Sequence, residues 1–318
     1  MACILCESHD STPYLLAPDM YTAERYLLVR CAGCGLIRTD RPPAAEPLYM
    51  YGETADAGKR FGLGQRVVRW FRRTRVRRFA GQRPGRVLDV GCGDGSFLEA
   101  LAERGWDIHG TELSASIAES ARQRLGDRIQ VGAMENGGYS NASFDLITFW
   151  HVLEHLNDPR QALAEARRLI KPEGTVVVAV PNIRSLQARL FKQDWLHLDV
   201  PRHQWHFSPR TLAGLADRCG FDVKEITHFS LEYGPFGIVQ GIATRLGGGY
   251  ILFTRLLRVG PLHLVRERSF WPHLLLVTCA IVPSVLLEAL AAVSGYGGSL
   301  VVMLSPRSST AQSEGEAP

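Results

Sequence analysis

At 318 residues the chain is long enough to bury one large core plus a small satellite module, and its formal charge of +4 is modest but unevenly placed. Ala2 to Thr12 has no apolar core, so no secretory signal peptide is expected there. A reducing compartment follows, in which cysteines stay thiols.

The first module is written in cysteines. Cys3-x2-Cys6 is followed, after 24 intervening residues, by Cys31-x2-Cys34. Two such pairs are a zinc-ribbon pattern, each forming one knuckle of a tetrahedral thiolate site. Gly33 and Gly35 supply the positive dihedral angles that knuckles need. Disulfides or four unrelated thiols are the alternatives, and a reducing compartment favours zinc. A closed four-sulfur site has no open position, so the metal is expected to be structural, folding a segment with too little apolar content of its own. Cys92, Cys219 and Cys279 read as small packing residues.

Pro42-Pro43-Ala44-Ala45 reads as a hinge. Beyond it, Arg66 to Arg78 holds seven arginines in 13 residues, interleaved with Val67, Val68, Trp70, Phe71 and Val76. That is a basic amphipathic helix with three readings: a solvated cap on the sheet, a nucleic-acid patch, or a seat on an anionic membrane.

Val87 to Val90 reads as a buried parallel strand running into Gly91-Cys92-Gly93-Asp94-Gly95 and a helix from Ser96. Glycines so spaced let the backbone turn sharply against a flat ligand. A dinucleotide fingerprint wants its third glycine one residue later, and Asp94 would repel a pyrophosphate. A cationic ligand suits the loop better. Trp106 to Thr111 is a second strand with Glu112 at its carboxyl end, 23 residues after Asp89, where an acid can accept both ribose hydroxyls of a nucleoside. Ile129 to Val131, Phe144 to Trp150 and Thr175 to Val180 continue the strands, with a helix over 158–171 capped by Asp158 and opened by Pro159. Alternation of this kind implies a parallel sheet with helices on both faces.

His151-Val152-Leu153-Glu154-His155 matches the inverted zinc-peptidase pattern, but it closes a strand beside the glycine loop rather than lying on a helix of its own. A histidine-rich loop spans Trp195 to Ser208, and Ser208-Pro209 starts the next helix. Between strand six (Val223 to Phe229) and strand seven (Ser299 to Leu304) lies an apolar insertion with Arg245, Arg255 and Arg258 on its fringe. Leu274 to Val293 carries one charge, Glu288, and one proline, Pro283. A helix of that length reaches across a bilayer, yet strand seven must return to the sheet, so a single crossing is excluded. The segment either lies in the interface, enters and returns at Pro283, or packs as a lid. The tail from 306 is Ser-, Gly- and Glu-rich and is expected to be disordered.

The glycine loop, Glu112 and the run from Phe144 to Pro159 resemble the class I S-adenosylmethionine-dependent methyltransferases over roughly residues 80 to 230. The resemblance implies an α/β fold, a seven-stranded, mostly parallel, doubly wound Rossmann-like sheet. It also implies that Asp89, Gly91, Gly93 and Gly95 line the methionine end of S-adenosylmethionine, Glu112 holds the ribose, and His151 abuts the methionine part. Where relatives place an acid for the adenine amine this chain has Ala133, so backbone groups of the stretch through Met134 and Glu135 take that part, with Met134 on the ring face. Asp199 to Ser208 is similar to a D-x-P-R-H-x-x-H-F-S run in such enzymes. That loop is expected to overhang the transferring methyl, with His203 or His206 as the base; a hydrogen-bonded structural histidine is the competing account.

The expected organisation is a zinc ribbon over 1–40, a linker and basic helix over 41–80, and a methyltransferase domain over 81–230 and 299–305. An apolar, membrane-associated insertion over 231–298 and a tail over 306–318 complete it. Its expected activity is O-methylation of a small-molecule, glycan or lipid-linked acceptor at the cytoplasmic membrane face, with nucleic acid not expected as a partner. A zinc-ribbon RNA methyltransferase and a non-catalytic membrane scaffold are the alternatives.

Overall fold

The computed structural model describes residues 2–40, 62–79, 81–248 and 270–308. The hinge at Pro42 and the residues beyond 308 lie outside them. Two sheets organise the described residues. In the larger, β4 (Arg86–Val90) is central, flanked in parallel by β5 (Asp107–Glu112) and β7 (Phe144–Trp150), so that Leu88 faces His109 on one side and Ile147 on the other. Outward lie β6 (Ile129–Val131) beyond β5 and β8 (Ile170–Pro181) beyond β7. The last strand, β11 (Ser299–Pro306), inserts antiparallel between β8 and β10 (Phe221–Thr227). The result is the expected seven-stranded, mostly parallel, doubly wound sheet.

Its inner strands are continuous apolar runs because helices cover both faces. Val87, Leu88, Leu146, Ile147 and Phe149, and Val176 to Val178, are fully buried. On one face sit Leu163 and Ala166 of α4 (Pro159–Leu169), with Leu212 and Leu215 of α6 (Pro209–Arg218). On the other sit Phe97 and Leu101 of α2 (Ser96–Ala102) and Ala118 and Ala121 of α3 (Ala115–Leu125). Helix starts follow the expected caps. Asp158 accepts from the Gln161 amide at 3.0 Å, and Ser208 forms a capping box with Thr211.

The smaller sheet runs β1 (Ser11–Pro18), β2 (Arg25–Cys31), β3 (Ile37–Thr39), β9 (Trp205–His206). Its fourth strand belongs to the histidine-rich loop. That loop therefore clasps the N-terminal module, while its His197 Nε2 meets the Tyr233 carbonyl at 3.1 Å. Cys3, Leu5, Cys31 and Leu36 share one core with Trp205, Phe207 and Leu212. The N-terminal module thus shares its core with the larger domain.

The basic helix α1 (Gly62–Thr74) and the turn Arg75–Phe79 cap the sheet. Arg72 pairs with Asp94 at 2.8 Å, Arg69 and Arg73 with Glu99, and Arg75 with Glu232 at 2.8 Å. These internal partners favour the cap over the nucleic-acid and membrane readings of this helix. Asp94 meets Arg72 with its charge, and its Oδ1 also accepts from the Ser96 amide at 3.1 Å.

Of the insertion, the described parts are α7 (Gly234–Ala243), the π turn Thr244–Gly248, and α8 (Phe270–Val293). Helix α8 continues through Pro283, which removes the reading in which the chain enters a membrane and turns back there. Among the described residues no helix is long and apolar enough to cross a membrane. Glu288 is fully buried, accepting from Gln187 Nε2 at 2.7 Å and from the Gly298 amide at 2.6 Å.

Candidate functional site

The carboxyl ends of β4, β5 and β7 converge on one crevice, as parallel sheets require. Gly91, Gly93 and Gly95 all have positive φ, at 66°, 56° and 72°. A Cβ at Gly91 would strike Val152 Cγ2 at 2.5 Å, and one at Gly95 would meet Leu125 Cδ1 at 2.7 Å. These two glycines serve close packing, whereas a Cβ at Gly93 would meet only the Arg72 guanidinium, at 3.4 Å. Gly93 is the member of the trio that leaves room above the loop.

Glu112 bridges the loop to the next helix. One carboxylate oxygen accepts from the Gly93 amide and the other from the Ser114 amide, each at 3.0 Å. A carboxylate keeps lone pairs beyond those two bonds, so the ribose role fits. Asp89 is buried beneath, accepting from Thr148 Oγ1 at 2.6 Å. Burial pushes its pKa up to about 7, opposed by the Thr148 hydrogen bond and by Arg75 and Arg72. Such a carboxyl is suited to a cationic neighbour that would restore its charge. Met134 is 2% exposed and lies in the hydrophobic core, so the face expected against an adenine is turned into the protein. Glu135, beside it in the turn Met134–Gly137, is exposed.

On the other side of β4 a cavity of about 190 Å³ opens over β7, β8 and β11. Phe71, Trp150, Phe229 and Tyr233 give it aromatic walls, and Arg75 and His151 give it polar ones. His151 leaves β7 with φ of 56°, which turns its ring toward Tyr233, the ring centroids lying 3.9 Å apart. Its Nδ1 meets Glu154 Oε1 at 3.2 Å. Glu154 is fully buried in the turn Leu153–His155. Burial alone would raise its pKa, but the His151 hydrogen bond and the imidazoles of His151, His155 and His203 hold it down to about 2. Tyr233, Arg75 and Glu154 were missed as site residues in the sequence. Glu154 follows His151 by three residues but reads as part of the peptidase-like motif, and nothing in the spacing of Tyr233 and Arg75 ties them to the crevice.

His203 and His206 are not in this cavity. His203 is buried, its Nδ1 2.9 Å from the His197 carbonyl, and burial lowers its pKa to about 4. His206 lies in β9 with Nε2 3.2 Å from Thr39 Oγ1, and burial lowers its pKa to about 3. Neither ring lines the cavity, although His203 Nε2 lies 4.0 Å from Glu154 Oε1. The His206 side chain joins the loop to the N-terminal module, as Thr39 Oγ1 does by donating to the His203 carbonyl at 2.7 Å, whereas the His203 ring packs against that of His155, the centroids 4.5 Å apart.

Two groups of described residues bring metal-ligating atoms within 4.8 Å of one another: Cys3, Cys6, Cys31 and Cys34, and Glu154, His155 and His203. In the first, Cys3 and Cys34 sulfurs are 3.5 Å apart and Cys6 and Cys31 sulfurs 3.4 Å. Four bonds of about 2.3 Å directed tetrahedrally give edges of about 3.8 Å, so a zinc ion fits with a small expansion. Backbone amides of Gly33 and Cys34 point at the Cys31 sulfur, as a thiolate requires. The second group lacks a helical H-x-x-E-H register, which removes the peptidase reading.

A family model described as a methyltransferase domain matches residues 65–226. The chain is 29% identical over 182 residues to a ubiquinone biosynthesis O-methyltransferase of Thiobacillus denitrificans, covering 54% of this chain and 78% of that one. It is 29% identical over 189 residues to the enzyme of the same name from Pseudomonas aeruginosa, covering 55% and 80%. Among solved structures, a SAM-dependent methyltransferase of Thermotoga maritima matches with 26% identity and a TM-score of 0.45, covering 56% of this chain and 82% of that one. With half its length matched by the family model, the chain belongs to the methyltransferase-domain family and is an S-adenosylmethionine-dependent methyltransferase.

Proposed function

We propose that the protein transfers a methyl group to a hydroxyl of a small, aromatic-bearing acceptor, with His151 as the base. The observation that carries this is the cavity beside the cofactor crevice, into which His151 projects from a buried, ionised Glu154. Bound S-adenosylmethionine supplies an activated methyl, held by Glu112 at its ribose and by Asp89 and the Gly91–Gly95 loop at its methionine end. The aromatic walls orient the acceptor and exclude water. Glu154 accepts from Nδ1 of His151 and so fixes the tautomer, leaving Nε2 to take the hydroxyl proton. The names of the O-methyltransferase relatives support oxygen as the acceptor atom.

The four cysteines hold one structural zinc in the same reading, and the protein works on the cytoplasmic side. The internal ion pairs of α1 weigh against an RNA substrate. Incubation with methyl-labelled S-adenosylmethionine and fractionated small molecules, lipids and RNA tests the proposal. Label on an aromatic hydroxyl, free or lipid-linked, is expected. Label confined to amines or RNA, or cofactor binding with no transfer, would overturn it.

A further inference from the structure

Among its described side chains, helix α8 keeps its one charge inside and exposes apolar residues, the reverse of a helix on a water-facing protein surface. Its single Asp, Glu, Lys or Arg residue, Glu288, is fully buried, as are Ser284 and Ala291 on the same side. The opposite side carries Leu275 (64% exposed), Val282 (64%), Leu286 (61%), Leu290 (69%) and Val293 (91%). Residues spaced by 3, 4 and 7 positions form one stripe along a helix about 36 Å long. Such a stripe far exceeds the isolated apolar residues common on soluble surfaces.

Its surroundings indicate what covers it. Trp271 (60% exposed) stands at one end of α8 and Tyr296 (38%) just past the other, where amphipathic rings sit at a membrane–water boundary. Arg189 stacks on Tyr296 at 4.5 Å, and Arg245, which reaches Asp194 at 3.9 Å, adjoins the exposed Leu246. Between Gly248 and Phe270, the ends of the two helical pieces, the sequence adds Arg255, Arg258, Arg266 and Arg268 against Glu267 alone. Apolar area with interfacial aromatics and a basic surplus complements an anionic bilayer.

We propose that the exposed stripe of α8 is a seat on an anionic lipid surface, with the helix lying in the headgroup region and not crossing it. The inference does not depend on which acceptor is methylated. Co-sedimentation of the full chain with vesicles tests it, using neutral phosphatidylcholine against the same lipid with about one-third phosphatidylglycerol. Binding to the anionic vesicles is expected, tenfold or more above neutral ones and weakened by salt. The double variant L286E/L290E should lose at least tenfold of that binding while keeping its melting temperature and its affinity for S-adenosylmethionine. Equal binding by the variant, or no binding by the native chain, overturns the proposal. So does light scattering in which the native chain is a dimer and the variant a monomer, which would assign the stripe to a second copy.

Discussion

Glu154 Oε1 stands 3.2 Å from Nδ1 of His151, a buried carboxylate behind an imidazole that faces the aromatic cavity. The arrangement makes His151 the side chain whose loss should be felt in chemistry far more than in cofactor binding. His151→Ala is expected to lower kcat by about 10²- to 10⁴-fold, the range for a general base. Its S-adenosylmethionine Kd should stay within a few-fold of the native value. Glu154→Gln should lower kcat and alter the pH–rate profile, whereas His206→Gln should leave that profile unmoved. Single-turnover rates across pH decide between them.

Asp89 gives the unliganded protein a distinctive pH response. Its folded value, about 7, lies above the ordinary 3.8, so its contribution to stability is fully present below about 4 and lost as pH rises to about 7. At about 1.4 kcal/mol per unit, the loss is a few kcal/mol. Asp89→Asn should flatten that segment of the stability curve in urea melts and weaken binding of the cationic cofactor. In the native chain, binding at pH 6 should release a proton from Asp89, seen as a dependence of calorimetric heat on buffer ionisation.

Arg202 is 2% exposed and held by Asp19 at 2.9 Å and Asp199 at 2.7 Å. Arg202→Met would strand two buried carboxylates. Removing one partner of such a group costs about 3–5 kcal/mol. The triple variant D19N/D199N/R202M should recover much of the loss, since no unpaired charge remains; thermal melts of the single and triple variants give the comparison.

Zinc should be countable as one ion per chain by elemental analysis. Stripping it should lower the melting temperature of the whole protein, because β3 pairs with β9 and Leu36 shares a core with Phe207. A chelated protein whose catalytic domain melts unchanged would contradict that coupling.

The glycine loop and the strand order were legible because they are local. Continuous apolar runs mark strands covered on both faces, and three glycines before Ser96 leave few backbone paths. The base was not legible. His203 and His206 look catalytic in a loop after β8, and only the structure shows His206 tied to Thr39, 167 residues away, and His203 packed against His155 outside the cavity lining. The arginines of α1 likewise read as an open patch until Asp94, Glu99 and Glu232 are seen opposite them. Glu288 was visible as the one charge in an apolar segment, but a helix apolar almost all round has no periodicity to say which side it faces.

The pairing of Ile37 with His206 also constrains how the chain comes into being. The N-terminal sheet lacks its fourth strand until residue 206 has been synthesised, so during translation it must wait, incomplete, for the middle of the chain to emerge. The beginning of this chain cannot finish folding before its middle has been made.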